Sequence, residues 1–542
     1  MAQADILNRN NVPFATLLAD RVDAASATLA ATVGDTIRLL SDAALAVLEQ
    51  ALLVRLSSLS LAVFTSEFGL FRALHPILPG QIATAPDAQY REFVEAMQSG
   101  RAAEVLCHYA GLAALLDTVT ADWVAAQREM LVRLATDWPA LCDRFGMTGA
   151  TPAITAISPY RSDPHHHGRS VAMLAFADGG VLVYKPRSLA MDAAWDALLG
   201  WANALGPARA FYRPALLSRD GYGWMAPVAA NPCETADQLD DCYHRSGGIA
   251  CLVALCQGTD IHHENLIAAG DQPVIVDAET LLQPRLDRAF SSTLGAGAQR
   301  RAAPDTLAFA LAESGLLPRP GEIDFSGLGA SGSVVTPFLH PVCQNVNSDA
   351  MTVAHIPYRA APQGNVPILA GAAAGAAKNV EAICAGFADM LATLLANRRS
   401  LRDLIESWRG LPTRLVVRST NAYGMMLNAS THPALLRDAG ARDAHFAQLY
   451  LGTGPRTPTA QAIIDAELSA MRRMDVPHLT RPCDAGCEGW PSPLDQVLAR
   501  IDSLDATDLA ECLSLFRKRL ADAQHLSIEP AAPEPILEGA LP

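Results

Sequence analysis

The sequence predicts an α+β fold, in which a helical N-terminal region leads into a core of two lobes. Three observations carry this expectation. Apolar residues between 14 and 145 recur at helical spacing: Leu17, Leu18 and Val22, then Leu45, Leu48, Leu52 and Leu56, with Asp, Arg and Glu between them. Near residue 150 the pattern changes to short β-like runs. Farther on, residues 258–282, GTDIHHENLIAAGDQPVIVDAETLL, read as a polar loop followed by a short buried strand that ends in two carboxylates.

The elements follow in order. Gly and Pro are scarce before the HPILPG break at 75–80, and no residue of the helical region demands chemistry. Ser170 to Phe176 and Val181 to Tyr184 flank an Ala-Asp-Gly-Gly turn, a hairpin signal whose second strand delivers Lys185. Residues 188–205 read as an amphipathic helix carrying Trp195, Leu198, Leu199 and Trp201, and a strand follows around Gly221 to Pro227. A helix over about 235–257 precedes the 258–282 stretch. Residues 285–375 are rich in Gly, Ala, Pro and Ser, which predicts long loops, including an activation-loop equivalent and a substrate groove. Helix returns over 376–407, and one or two helices over 492–525 precede a Pro- and Glu-rich tail with the composition of a disordered segment. The expected divisions are 1–150 (helical), 151–257 (β-rich lobe and linker helix), 258–500 (catalytic lobe) and 501–542 (terminal helix and tail).

Composition narrows the function. With 542 residues, half of them hydrophobic, the chain can bury a large core, and its net charge of −15 argues against nucleic-acid binding by bulk electrostatics. Eleven cysteines, an odd number, suggest reduced thiols. The N-terminus lacks a signal peptide pattern, and charge interrupts the apolar runs, so the expectation is a cytoplasmic protein without a membrane partner.

The chemistry sits at Asp260, His262, Asn265, Asp277 and Glu279. A kinase needs a carboxylate that orients or deprotonates the acceptor hydroxyl, with an Asn and an Asp that hold Mg²⁺ against nucleotide phosphates. The Asp-to-Asn spacing equals that of the protein-kinase catalytic loop. The His inside the loop is a feature of lipid kinases and small-molecule phosphotransferases. Alone, the stretch could be only a strand after a polar turn. A strand-borne Lys185 upstream supplies the usual phosphate partner, and together these elements follow the order of a bilobal kinase.

In TRLVVRSTNAY the core LVV reads as strand. Arg414, Arg418 and Thr420 then fall on one face if the strand continues, where two guanidiniums and a hydroxyl can hold a phosphate. Surface salt bridges are the plainer reading. His165, His166 and His167 are adjacent and cannot all face one ion, and Cys483 and Cys487 with His478 form at most half a zinc site. No internal repeat is present.

These motifs together resemble the N-terminal dehydratase domain of the class II lanthipeptide synthetases, the LanM family, over roughly residues 140–500. The matching pieces are SDPHHHGRSV (162–171), VYKPRSL (183–189), GYGW (221–224), Tyr243-x-Arg245-x-Gly247, GTDIHHENLIA with VDAET, DFSGLG (324–329), NSDAM (347–351), Asn365-x-Pro367, Gly386-Phe387 and RLVVRSTNAY (414–423). The resemblance implies a lipid-kinase-like core that uses ATP and Mg²⁺ to phosphorylate Ser and Thr of a leader-bearing precursor peptide, releasing ADP. It then eliminates the phosphate to give dehydroalanine and dehydrobutyrine. It assigns Lys185, Asp260, His262, Asn265, Asp277 and Glu279 to nucleotide, metal and phosphoryl transfer. Asp163, His165, Arg414 and Thr420 go to elimination, with Arg418 adjacent. Which residue takes the Cα proton stays open, with His165 and Lys185 as candidates.

Two departures stand out. Ala226-Pro227 occupies a place that is usually acidic in the family, and DAET replaces DLET. The family's C-terminal zinc cyclase has no counterpart after residue 500, so the expectation is dehydration without thioether formation. That fits a stand-alone enzyme working beside separate maturation enzymes, or a fragment of a longer synthetase. The alternatives are a small-molecule phosphotransferase of the aminoglycoside or choline kinase type and a catalytically inert peptide-binding partner.

Overall fold

The computed structural model describes residues 11–76, 85–207, 209–284, 306–329, 334–360, 364–451, 457–486 and 491–523, with 291, 294 and 453 singly. The fold is mixed α and β. The N-terminal region is helical, as its periodicity requires: α1 (Ala15–Val33), α2 (Asp42–Leu74), α3 (Ala88–Ala96), α4 (Ala102–His108) and α5 (Ala110–Phe145). Ser41 caps α2 by accepting from the Ala44 amide.

These helices cover one face of a five-stranded antiparallel sheet, ordered β1 (Ile154–Ser158), β2 (Ala172–Phe176), β3 (Val181–Lys185), β5 (Tyr222–Met225), β4 (Leu216–Arg219). Ala172, Leu174 and Phe176 of β2 and Leu182 and Tyr184 of β3 join the helical core, so Val183 and Lys185 face the other way. Asp137 of α5 ties the layers by accepting from Trp224 Nε1 and Arg219 Nε at 2.9 Å each. The β4–β5 turn is Asp220-Gly221, with Gly221 at φ 76°, as a tight hairpin turn demands.

A second core lies on the far side. It contains α6 (Ala190–Ala204), α7 (Ala236–Leu255), the hairpin of β6 (Leu266–Ala269) and β7 (Gln272–Ile275), α8 (Leu307–Glu313), α9 (Val380–Ala396) and α10 (Arg398–Glu406). Helices α7 and α9 pack closely because each carries glycine at the crossing. A Cβ on Gly247 would lie 1.9 Å from the Ile383 carbonyl, and one on Gly386 would lie 1.7 Å from the His244 carbonyl. Two of the motif positions are thereby explained by packing.

The C-terminal part adds β12 (Pro412–Leu415) paired with β13 (Leu479–Pro482), then α11 (Thr420–Ala429), α12 (Ala439–Ala447) and α13 (Pro458–Arg472) around a third core. Helices α14 (Pro493–Ser503) and α15 (Thr507–Ala523) return to the second core. The tail beyond 523, Cys487 and much of the expected activation-loop segment lie outside the described residues.

Three expectations are corrected. Residues 334–360 form a long hairpin, β8 (Val334–Gln344) with β9 (Thr352–Ala360), rather than loop. Pro337, Pro341 and Pro357 masked it in the sequence, and a two-stranded ribbon tolerates proline because each strand is an edge. Among the described residues the strands between these and β12 are the short pair β10 (Ile368–Leu369) and β11 (Ala372–Ala373). The strand carrying Arg414 stops at Leu415, because the Val416 amide turns to Gln283 Oε1 (3.1 Å) and Ser419 caps α11. Charge does not break every apolar run: segments Asp42–Leu74 and Ala376–Ala396 are long and apolar enough to cross a membrane. In the fold, 61% and 39% of their most apolar windows are buried against the protein. The ten cysteines among the described residues are all free.

Candidate active site

The site forms where β3, the 258–282 stretch, the 162–169 loop and β12 meet. Lys185, 5% exposed at the end of β3, lies 3.8 Å from Asp192 and 3.7 Å from Asp277 and donates to the Val276 carbonyl. Asp192 comes from the first turn of α6. Arg187, two residues beyond Lys185, bridges three carboxylates: Asp192 at 2.7 Å, Asp277 at 2.6 Å and Glu279 at 2.9 Å. Burial opposes the charges of Asp192 and Glu279, but the cations prevail. Arg187 and Lys185 hold Asp192 low, and Arg187, His478 and Arg414 hold Glu279 well below the usual carboxylate range.

The loop ahead of β6 is braced from below. The His263 amide bonds to the Phe325 carbonyl at 3.0 Å, and Asn365 Nδ2 donates to Gly327 O at 3.0 Å. A side chain at 327 would collide with the Ile261 carbonyl at 2.7 Å. The DFSGLG and Asn365 motifs therefore brace the loop. Asp260 adopts φ 63°, a left-handed conformation that costs about 1 kcal/mol or more and persists here within this bracing. Burial raises the Asp260 pKa. His262 accepts the Glu264 amide at Nδ1 (3.2 Å), and its Nε2 lies 3.7 Å from Asp260 and 3.4 Å from Asn265 Nδ2. Asn265 donates Nδ2 to the Asp260 carbonyl at 2.8 Å, so its Oδ1 is turned away and remains a donor for a cation.

Asp163 and His165 join the same site. Burial, then the Glu264 charge, raises Asp163 to about 6, with Arg414, Asp260 and His262 also acting on it. His165 donates Nδ1 to the Val476 carbonyl at 2.6 Å. Burial, then His478 and Arg414, lowers its pKa to about 3. It is therefore neutral at physiological pH, with Nε2 as the acceptor nitrogen. His166 Nε2 lies 3.1 Å from His478 Nδ1, and His167 lies 3.7 Å from Asp122, so the three histidines diverge.

Arg414 reaches Glu279 Oε1 at 2.8 Å, and its amide bonds to the Glu279 carbonyl at 2.9 Å. The two distant motifs thus meet on one residue. Arg418 does not share this place. It is fully buried, paired with Glu467 and lying 5.1 Å from the Tyr450 ring, with Tyr423 and Tyr450 also on Glu467 at 2.5 and 3.1 Å. Thr420 opens α11 at an exposed position. The expected common face of Arg414, Arg418 and Thr420 is corrected, because the chain leaves the strand between them.

Sequence reasoning missed Arg187, Asp192 and the placement of His478. Arg187 lay within the VYKPRSL motif, two residues from Lys185, and charge alternation there was the available signal. His478, read only against Cys483, points at Glu279 (2.9 Å), while the Cys483 thiol donates to the Trp408 carbonyl at 3.0 Å. Among the described residues no group of three His, Cys, Asp or Glu side chains could hold a metal. A Mg²⁺ that takes one carboxylate, an Asn oxygen and nucleotide phosphates needs no such group. The donors present fit it: Asp277, Asn265 and an excess of the carboxylates Asp163, Asp192, Asp260, Asp277 and Glu279 over the cations Lys185, Arg187 and Arg414.

A family model described as a domain of unknown function (DUF4135) matches residues 109–481, more than half of the chain. The chain belongs to that family. It is also similar to the lacticin 481/lactococcin biosynthesis protein LcnDR2 of Lactococcus lactis subsp. lactis, at 22% identity over 390 residues. That match covers 67% of this chain and 41% of the relative, so the chain spans about two fifths of that protein's length.

Proposed function

We propose that the protein modifies a ribosomally made precursor peptide of the lanthipeptide type, acting as an ATP-dependent dehydratase of Ser and Thr. The similarity to a lacticin 481/lactococcin biosynthesis protein supports the pathway. One observation carries the mechanism. Glu279 is shared between the Lys185–Arg187–Asp277 cluster and Arg414, which supports one continuous site for phosphate attachment and phosphate removal.

In the first step Asp260 orients the substrate hydroxyl and accepts its proton as the hydroxyl oxygen bonds to the γ-phosphorus and the bond to the departing ADP breaks, with Lys185 facing the nucleotide phosphates. Mg²⁺, held by Asp277 and Asn265, would neutralise phosphate charge. In the second step the Cα–H bond breaks toward a base, the Cβ–O bond breaks, and the phosphate leaves onto Arg414. His165 Nε2 is the better placed acceptor. Lys185 is engaged by Asp192, Asp277 and the Val276 carbonyl, and a phosphate dianion beside His165 would raise its basicity. Asp163 and His262 flank this half. A reaction of this kind belongs in the cytoplasm, where ATP is available.

The test is mass spectrometry of a precursor peptide incubated with the protein, ATP and Mg²⁺. Loss of one water per modified site is expected. Stable phosphopeptide from the wild-type protein would overturn the elimination step. Phosphorylation of aminoglycoside or choline, with peptides untouched, would establish the small-molecule kinase reading instead.

A further inference from the structure

His478 has no assigned role in either step, yet both of its ring nitrogens are engaged in the site. Nε2 lies 2.9 Å from Glu279 Oε2, and Nδ1 lies 3.1 Å from His166 Nε2. The side chain is 4% exposed, so water does not substitute for either partner. Its segment is fixed to the 162–169 loop. The Val476 amide bonds to the Pro164 carbonyl at 2.9 Å, the His167 amide to Asp475 at 2.6 Å, and the Gly168 amide to Asp475 at 3.1 Å.

We propose that His478 is a positioning residue for a phosphate carried on a Ser or Thr side chain: it anchors Glu279, and Glu279 sets the place of Arg414. This rests on reading Arg414 as the phosphate-holding cation. Glu279 divides its oxygens. Oε2 takes His478 and Arg187, each at 2.9 Å, and Oε1 takes Arg414 at 2.8 Å. Arg187 cannot fix Oε2 alone, because its guanidinium is also committed to Asp192 and Asp277. Without His478 the carboxylate follows Arg187 toward Asp277, and Arg414 loses its fixed counter-ion. The ring faces the carboxylate with Nε2 and His166 with Nδ1, so it is held from both sides. The same imidazole lies 5.2 Å, centroid to centroid, from His165. One side chain thus sets the distance between the cation for the leaving phosphate and the acceptor for the Cα proton.

The test uses the full chain and inorganic phosphate as probe, titrated by calorimetry. Arg414→Gln abolishes the binding event and shows that the probe reads this site. In His478→Gln the side-chain amide reaches the Nε2 position and can still donate to Glu279; in His478→Asn it reaches only the Nδ1 position. The expected result is that His478→Asn weakens phosphate binding about tenfold, the worth of one charge-assisted hydrogen bond, while His478→Gln stays within about threefold of wild type. Equal affinities for the two variants overturn the proposal. So does failure of both to reach the wild-type fold by circular dichroism, which makes His478 a structural residue. Phosphate binding by wild type that survives Arg414→Gln overturns the reading of Arg414 itself.

Discussion

At the scale of single residues, the site is a balance of buried charges, and each substitution has a signed consequence. Arg414→Gln is expected to slow elimination by about 10²–10³-fold and to accumulate phosphopeptide, whereas Asp277→Asn leaves the peptide unphosphorylated; intact-mass analysis separates the two. Arg418→Met should act on stability instead. It strands Glu467 in the third core at a cost of about 3–5 kcal/mol, read from denaturant unfolding. The pH dependence has two opposed parts. Burial and Glu264 raise Asp163 to about 6, so the native state binds more protons than the unfolded chain between its ordinary value and 6. Stability contributed there falls as pH rises through that window, and the cost remains at neutral pH. His165, lowered to about 3, is neutral when folded, so stability falls as pH drops from its ordinary range toward 3. Asp163→Asn is therefore expected to stabilise the protein at pH 8 by about 1–3 kcal/mol while lowering activity, as unfolding curves at pH 4 to 8 would record. The candidate residues of the 260–265 loop stood out in the sequence because their spacing within one loop is itself the signal. Arg187 and His478 were not, since their roles arise only from partners that folding brings to them.

At the scale of elements, strands and helices followed periodicity and turn chemistry, and the departures have local causes. The hairpin over β2 and β3, the helices α6 and α7 and the polar loop at 260–265 fall where apolar spacing and turns place them. The β8–β9 ribbon was hidden by its prolines. The end of β12 was hidden because it is decided by Gln283, a residue more than a hundred positions upstream. The contact between α7 and α9 is a further element-level device. Gly247→Ala or Gly386→Ala drives a methyl group into the backbone of the facing helix, which must separate. The expected cost is about 3 kcal/mol or more, above ordinary overpacking because the obstruction is main chain. Thermal melting of Gly247→Ala beside a half-buried control, Gly424→Ala, with nothing within 4 Å of the added carbon, checks this.

At the scale of the whole molecule, the helical N-terminal region is part of the same body as the site. Its helices share a core with the sheet that carries Lys185, and Arg473 pairs with Asp122 of α5 beside the loop that holds His165. Composition foretold a large core but not which distant segments would meet: the 475–478 segment lies some three hundred positions from the loop it fixes. Arg473→Gln is therefore expected to lower dehydration more than its distance from the chemistry suggests, by about threefold to tenfold, and to lower the melting temperature as well, because the buried Asp122 carboxylate loses its guanidinium.

The tip of the β8–β9 ribbon has a consequence for how the chain is made. Asn347 accepts from the Phe14 amide at 2.9 Å and from the Tyr90 hydroxyl at 2.7 Å, while Met351 is buried in the helical core. The N-terminal helices, translated well before the ribbon, thus keep a socket open until the ribbon follows them. A nascent chain arrested before the ribbon emerges would expose that apolar socket to chaperones and proteases. Completion of the ribbon closes it, so a protease added to stalled chains should cut the N-terminal helices before that point and spare them after it.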